Sequence, residues 1–284
     1  MRGDGDGWVT CSRGHDHWGL HGAAGLLLRD RDHILLQHRA IWSHHGGTWG
    51  LLGGARDSEE AAAETALREA AEEGQVAPDG VTVRATYLDD HGGWTYTTVL
   101  AEIPVLSART LHMQPQAESI ELAWVHRDQV GARPLHPGFA ESWSVLATAP
   151  ARLHLVVDAA NVVGSRADGW WRDRAGATGR LRDQLAELAA TGLSAEALPE
   201  QLPSGYAHWW PVVHLVTEGV SRDIADSKTV DVVRSPGSGD DSIVETAASA
   251  DGIVVVVTAD RELRQRCAEV GASVVGPRWL TSRL

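Results

Sequence analysis

The chain has 284 residues, of which 43% are hydrophobic and 22% charged, and a formal net charge of −13. That length suits two domains, each with its own core. Residues 1–150 carry 11 basic and 20 acidic side chains (−9) and residues 151–284 carry 14 and 18 (−4), a balance that argues against a large sequence-independent phosphate clamp. Two cysteines, Cys11 and Cys267, exclude a disulfide framework and a four-cysteine zinc site. The N-terminus has no apolar leader, and no aliphatic run approaches the roughly 20 residues of a membrane span. The expectation is a cytoplasmic chain with no membrane partner.

In chain order, Ala23–Leu28 and Ile34–His38 read as strands around a charged turn. Trp49–Leu52 is a further short strand closed by Gly53-Gly54. Ala61–Glu73 predicts an alanine-rich helix with Asp57-Ser58 as N-cap and Gly74 as its stop. Thr95–Ile103 and Glu121–His126 predict later strands, and Pro134–Ala147 holds a short helix. After Pro150 the pattern changes to the alternation of a parallel α/β fold. Leu153–Asp158, Val212–Thr217, Val230–Val233, Ile253–Thr258 and Ser273–Val275 read as strands. Gly176–Ala190, Asp241–Ala250 and Arg261–Val270 read as helices. The expected domains are therefore 1–150 and 151–284.

The most informative stretch runs from Gly54 through Glu60 to Arg68-Glu69-Ala-Ala-Glu72-Glu73. At 100° per residue Glu69, Glu72 and Glu73 fall at about 0°, 300° and 40°, and Ala63, Leu67 and Ala71 fall opposite, at about 120°, 160° and 200°. Three carboxylates on one face repel one another unless a cation lies among them, and hard oxygen donors suit Mg²⁺ or Mn²⁺. A solvated acidic helix face explains three glutamates alone. It does not explain the full spacing, which arises by chance on the order of once in 10⁵.

This stretch resembles the Nudix box: glycine, five residues, glutamate, seven residues, then Arg-Glu-x-x-Glu-Glu. With the flanking strands the resemblance runs from about Gly19 to Ala147. It implies an α/β/α sandwich whose loop–helix–loop holds Mg²⁺ or Mn²⁺ and activates water against a phosphorus atom of a diphosphate. Glu69, Glu72, Glu73 and Gly54 then resemble the metal ligands, and Arg68 and Glu60 the pair that braces loop against helix. Departures are Gly74 one residue early, the small Ala70, and Leu52 where proline is common. A loop glutamate often assists in this family; Glu118 is preferred over Glu121, though both equally fit loop charges before a strand. Trp42, His44 and His45 precede the motif and either line a substrate pocket or form an ordinary loop. Cys11, His15 and His17 suggest a metal, but no matching second ligand pair appears in the sequence.

In the second half, Asp158 and Asn161 follow an apolar strand, Asp240-Asp241 open a helix, and Asp260 follows another buried strand. Sites of parallel sheets lie at the carboxyl ends of strands, so these acids can converge on one or two Mg²⁺ ions. Helix N-capping by Asp240 or Asp241 and by Asp260 is the plainer alternative. The arrangement resembles the NYN branch of PIN-like ribonuclease domains, which implies a second, mainly parallel α/β/α domain whose metal site takes Asp158, Asn161, Asp241 and Asp260, with Asp240 the alternative to Asp241. Trp170 and Arg172 either stack a base and meet a phosphate or form a lid.

Three functions follow. The first is a Nudix hydrolase acting on a nucleoside diphosphate-linked small molecule such as a damaged triphosphate, ADP-ribose or a dinucleotide. The second is an RNA-processing protein that removes a 5′ cap or diphosphate and then cuts the chain. The third is a non-catalytic nucleotide sensor. The resemblance is compatible with a homodimer.

Overall fold

The structure is a computed structural model that describes residues 3–103, 118–148, 150, 152–199 and 204–284. The chain forms two compact units, Met1–Ala149 with Ser204–Ala207, and Pro150–Pro203 with His208–Leu284.

The first unit is built on strands β1 (Trp8–Thr10), β2 (Asp16–Trp18), β3 (Ala23–Asp30), β4 (His33–Arg39), β5 (Trp49–Gly50) and β6 (Leu52–Ala55). Helix α1 (Ala62–Gly74) follows, then β7 (Thr82–Asp90), β8 (Thr95–Glu102), β9 (Ser119–His126) and helices α2 (Arg127–Val130) and α3 (Pro137–Leu146). In the main sheet β7, β8, β3, β4 and β5 lie in that order, with β6 also paired to β3 and β9 to β4. Only β3 and β8 pair in parallel among these strands, so the sheet is mixed. The apolar run expected at 49–52 is two strands because it changes partner at Leu51. Gly50 faces Gln37 of β4, whereas Leu52 faces Leu26 of β3.

Helix α1 packs Ala66 and Ala70 into a core with Leu26, Leu28, Leu52 and Val99. The expected packing face was Ala63, Leu67 and Ala71. Ala63 and Leu67 do pack against this core, but its buried centre lies at Ala66 and Ala70, nearer the glutamates, and Ala71 lies outside it. The cause is that Glu69 and Glu73 are themselves drawn under the helix, as described below. Three further corrections concern its ends. The N-cap is Ala61, not Asp57 or Ser58, and its N–H donates to Glu64 at 2.9 Å, a reach-back that needs no capping hydroxyl. The left-handed residue that stops the helix is Gln75 (φ 56°), not Gly74. Gly74 is instead small for packing, since a Cβ there would sit 2.8 Å from Leu52 Cδ1.

Among the elements that escape the sequence reading are the hairpin β1–β2 and strand β7. The hairpin β1–β2 is only three residues per strand and leaves Trp8 and Trp18 exposed. Strand β7 is irregular between Val83 and Ala85, and such a bulge breaks the period-2 pattern by which strands are recognised.

The second unit contains β10 (Leu153–Asp158), helices α4 (Ala159–Gly164) and α5 (Arg174–Thr191), and the short antiparallel strands β11 (Leu193–Ser194) and β12 (Tyr206–Trp209). Then come β13 (Val212–Thr217), β14 (Val230–Arg234), α6 (Gly239–Ser249), β15 (Ile253–Val257), α7 (Arg261–Glu269), β16 (Ser273–Val275) and α8 (Pro277–Thr281). Its sheet has the order β14-β13-β10-β15-β16 and is parallel throughout. Val156, Val216, Val254 and Val256 pack against Ile243 and Ala247 of α6 and Leu263 and Cys267 of α7. No helix among the described residues is long and apolar enough to cross a membrane.

The pairing of β3 with β6 depends on a glycine. A Cβ at Gly53 would lie 2.4 Å from Ala24 O and 2.5 Å from Gly25 Cα, both backbone atoms that cannot move aside. Gly53→Ala is expected to cost about 2–3 kcal/mol in denaturant unfolding. Gly80→Ala, where a Cβ meets nothing within 4 Å, is expected to stay within about 0.5 kcal/mol.

Candidate active site

The strongest polar arrangement in the first unit is centred on Arg68. Its Nε donates to Glu60 Oε1 at 2.8 Å and its Nη2 to Glu60 Oε2 at 2.9 Å, a bidentate pair. Nη2 also donates to the Ala55 carbonyl at 3.1 Å, and Nη1 to Glu69 Oε1 at 2.7 Å. Thr65 Oγ1 donates to Glu60 Oε2 at 2.9 Å, which satisfies the remaining side of that carboxylate. One guanidinium thus ties the 56–61 loop, the end of β6 and helix α1 together. The Arg68 hydrogen bonds hold Glu60 below the usual carboxylate range, so this pair is ionised and structural.

Glu69, Glu72 and Glu73 are unequal. Glu72 is exposed, with 63% of its side chain accessible and one oxygen 3.7 Å from Arg68 Nη1. Glu69 is largely buried, and burial pushes its carboxyl pKa up against the pull of Arg68. Glu73 accepts a hydrogen bond from Gly53 N–H at 3.2 Å. Burial, with Glu69 beside it, pushes its pKa up to about 8. Both carboxylates fit only because β6 presents glycine. A Cβ on Gly54 would lie 2.5 Å from Glu69 Oε1.

Glu118 adds repulsion to both Glu69 and Glu73. Two residues that the sequence did not flag also act here. Arg39, at the end of β4, opposes the rise of Glu73 and bonds the His44 carbonyl at 3.2 Å. Tyr96 is partly buried near the same carboxylates, and desolvation, with the charge of Glu73 and Glu69, pushes its hydroxyl up. A strand-end arginine and a mid-strand tyrosine carry no motif by which sequence could have found them.

The donor set fits divalent cations: two carboxylates buried beside Gly53 and Gly54, and a third at the solvent edge. Oxygen donors of this kind, left with one arginine among them, suit Mg²⁺ or Mn²⁺. Beside them opens a cavity of about 520 Å³, within the usual range for small-molecule sites. Gly53 and Gly54 form part of its wall, with Arg39, Trp94, Tyr96 and Phe139. His44, His45 and His136 line it too, and burial together with His45 and Arg39 pushes His136 down to about 4, so it is neutral at pH 7. Trp42, expected at the pocket, is 69% exposed and is not among the lining residues.

In the second unit a cavity of about 300 Å³ lies at the carboxyl ends of the strands, lined by Asp158, Asn161, Glu218, Asp240 and Asp260. With order β14-β13-β10-β15-β16, the sheet reverses direction between β10 and β15, and sites in such sheets form at that crevice. Asp158 Oδ1 accepts from Asn161 N–H at 2.9 Å and Oδ2 from Thr258 Oγ1 at 2.9 Å, while Asn161 Oδ1 accepts from Ala259 N–H at 3.0 Å. Burial raises Asp158, and Asp240 and Glu218 add to it. Burial also raises Asp240, followed by Asp260.

Asp260 does cap helix α7, through Leu263 N–H at 2.8 Å, but Ser238 caps α6, so Asp240 and Asp241 have no capping duty. Asp241 is outside the cavity and pairs with Arg266 at 2.6 Å, leaving Asp240 as the acid of that pair at the site. Glu218, at the end of β13, was missed because it is a single glutamate before a glycine turn. Trp170 lies under Arg174, 5.1 Å from its guanidinium carbon, and neither Trp170 nor Arg172 lines this cavity.

The raised pKa of Glu73 has a measurable sign. Between about pH 5 and 8 the metal-free folded state holds a proton that the unfolded state has lost, so stability falls as pH rises. The slope approaches about 1.4 kcal/mol per pH unit for one such group. Melting of the metal-free chain from pH 5 to 8 is expected to show this decline, with Glu73→Gln flattening it.

Comparison with known proteins gives the family. The NUDIX domain model matches residues 19–148. A Mycobacterium tuberculosis protein named "Putative 8-oxo-dGTP diphosphatase 3" is 50% identical over 166 residues, covering 55% of this chain and 75% of its own. A Bifidobacterium longum "Nucleoside triphosphate pyrophosphatase/Nudix hydrolase fusion protein" is 44% identical over 150 residues, 49% of this chain and 30% of its own. A Nudix hydrolase crystal structure from M. smegmatis shares 49% identity, covering 50% of this chain and 92% of that one, with a TM-score of 0.46. The chain belongs to the Nudix family and is a pyrophosphohydrolase.

Proposed function

We propose that the first unit cleaves the phosphoanhydride linkage of a nucleoside diphosphate derivative, using Mg²⁺ or Mn²⁺ held by Glu69, Glu72, Glu73 and the Gly54 carbonyl. The observation that carries this reading is the pair of buried carboxylates lying against a glycine strand at the wall of an aromatic-lined cavity. When bound, the divalent ions lower the pKa of water and neutralise charge on the phosphate oxygens. The chain's own residues do the rest. Arg68 fixes the Glu69 carboxylate, Gly53 N–H fixes that of Glu73, and Glu118 is the acid positioned to take a proton from the attacking water. Arg39 supplies positive charge facing the substrate phosphates, and Trp94, Phe139 and neutral His136 offer apolar surface to a nucleobase. The name of the mycobacterial relative makes an oxidised purine deoxynucleoside triphosphate the first substrate to try.

For the second unit we read Asp158, Asn161, Glu218, Asp240 and Asp260 as a PIN-like metal site that hydrolyses phosphodiester bonds of RNA. The four acids and one amide around a single cavity at the sheet's reversal point support it. Asp158 and Asp240 are both raised by burial and by neighbouring acids, the state expected of ligands without their cation.

Two measurements test these readings. Phosphate release from oxidised dGTP, ADP-ribose, diadenosine polyphosphates and 5′-capped RNA with Mg²⁺ should show one preferred class. Glu72→Gln, exposed and so neutral to folding, should lower its kcat on the order of 10³-fold. Turnover within tenfold of wild type in that variant overturns the metal assignment. Separately, Asp158→Asn should abolish Mn²⁺-dependent cleavage of single-stranded RNA while leaving nucleotide turnover within about twofold. RNA cleavage that survives the substitution removes the second reading.

A further inference from the structure

The turn that joins β1 to β2 brings together side chains that the hydrolytic reading does not use. Cys11 N–H donates to His15 O at 2.9 Å and Gly14 N–H to Cys11 O at 2.9 Å, a tight knuckle with Gly14 at φ +79°. The turn between β7 and β8 docks against it. Ser12 N–H donates to Gly92 O at 2.8 Å, Ser12 Oγ to His91 O at 3.1 Å, and Arg13 Nη2 to Asp90 O at 2.6 Å. Together these five hydrogen bonds hold Cys11, His15, His17 and His91 face to face. One ligand atom from each of the four lies within 4.8 Å of every other.

We propose that Cys11, His15, His17 and His91 bind a structural Zn²⁺ ion, separate from the carboxylate site. Three observations carry this. First, the donor set is one thiol and three imidazoles, the nitrogen and sulfur combination that selects zinc over magnesium. Second, the inner atoms have no other work. His17 Nε2 and His91 Nδ1 are buried with no hydrogen-bond partner, and leaving buried polar atoms unmet costs about 1–3 kcal/mol each. Third, the outer shell is already built. His91 Nε2 lies 3.2 Å from Asp89 Oδ2, the carboxylate–imidazole relay that orients a metal-bound histidine. The ring of His17 is stacked on Trp94 at 3.9 Å and 7°, and the Trp94 Nε1–H is held by Gly19 O at 2.9 Å. Cys11 itself is 4% exposed beside Trp94 and Ala23.

Three imidazoles this close repel once protonated, and burial with His91 and His15 pushes His17 below its ordinary value, which keeps it in the neutral form that ligates. Binding costs the Cys11 thiol its proton, released to solvent. Four protein ligands leave no open position, the pattern of a structural rather than hydrolytic ion. His15, His17 and His91 also line the cavity of about 520 Å³, so the ion would fix one wall of the substrate site while taking no part in the chemistry. The zinc proposal does not depend on which nucleotide the cavity accepts.

The test uses the full chain in excess Mg²⁺, so that the carboxylate site is already satisfied. Chelator-stripped protein should take up one Zn²⁺ per chain and keep it through gel filtration, with a rise in melting temperature. Replacing Zn²⁺ by Co²⁺ should give thiolate-to-cobalt charge-transfer absorption. Because the chain has only two cysteines, the same band in Cys267→Ala assigns it to Cys11 without disturbing the site. His91→Ala and His17→Ala should each weaken Zn²⁺ binding at least tenfold, while Glu72→Gln and His45→Ala should retain it in full. Uptake below about 0.1 Zn²⁺ per chain overturns the proposal. So does a cobalt spectrum without a thiolate band, or zinc lost in His45→Ala, which would put the ion at His44, His45 and His136.

Discussion

Two carboxylates buried between a helix and the paired glycines of a strand are the constraint around which the first unit is arranged. Glu69 and Glu73 are pressed toward Gly53 and Gly54, and each is raised by burial before any neighbour is counted. Burying like charges side by side is unfavourable, and the structure answers it with one guanidinium and one backbone N–H. Arg68 is committed four ways, to both oxygens of Glu60, to Glu69 and to the Ala55 carbonyl, so it cannot swing away to relieve Glu73. The residual negative charge is therefore a fixed property of the fold. Among the described residues only Arg39 acts on Glu73 as a further cation, and it does so from a distance, which makes the cluster fit a divalent ion.

The same constraint explains where sequence reasoning succeeded and where it failed. The spacing of Glu60, Arg68, Glu69, Glu72 and Glu73 was legible because a helix repeats every 3.6 residues and the bracing pair must meet across one loop. The packing face of α1 was read correctly at Ala63 and Leu67 but centred too far from the glutamates, because periodicity assigns them to solvent. Here two of three lie under the helix, and the apolar face turns with them toward Ala66 and Ala70. Gly74 was read as a helix stop from its conformational freedom, whereas its neighbour Gln75 takes the left-handed conformation and Gly74 clears Leu52. Arg39, Tyr96 and Glu218 were invisible for a different reason. Each joins its site only through strand pairing across long sequence separations, and no local pattern encodes that.

In the second unit the parallel strands were legible nearly to the residue, since buried β-branched runs leave little ambiguity in the interior of a sheet. The acids at their ends were not, because one carboxylate can serve two purposes. Asp158 and Asp260 both hold a helix N-terminus, which alone accounts for their presence. Asp240 and Glu218 separate the two explanations. Ser238 already caps α6, leaving the Asp240 carboxylate facing Asp260 across the cavity, and Glu218 is spent only partly, on Gly239 N–H at 2.6 Å. Capping accounts for two acids at this crevice and a helix-end hydrogen bond for one oxygen of Glu218, while Asp240 adds repulsion with no such duty.

A chain that holds a hard-ion site and a soft-ion site around one cavity must keep the two ions apart, and ligand chemistry does this without any barrier. The carboxylate cluster has only oxygen donors, and its Glu72 oxygen lies in solvent, which suits an ion that keeps its waters. The knuckle has one thiol and three imidazoles and no carboxylate among its four ligand atoms; Asp89 reaches it only through His91. Exchange would leave Mg²⁺ with poor donors at the knuckle, so the knuckle's nitrogen and sulfur donors set its preference for Zn²⁺. The geometry adds a mechanical link. The hairpin β1–β2 is short and its tryptophans are exposed, so its own packing fixes it weakly. Cross-linking it to the β7–β8 turn through an ion would give the cavity a rigid wall that three-residue strands cannot supply alone.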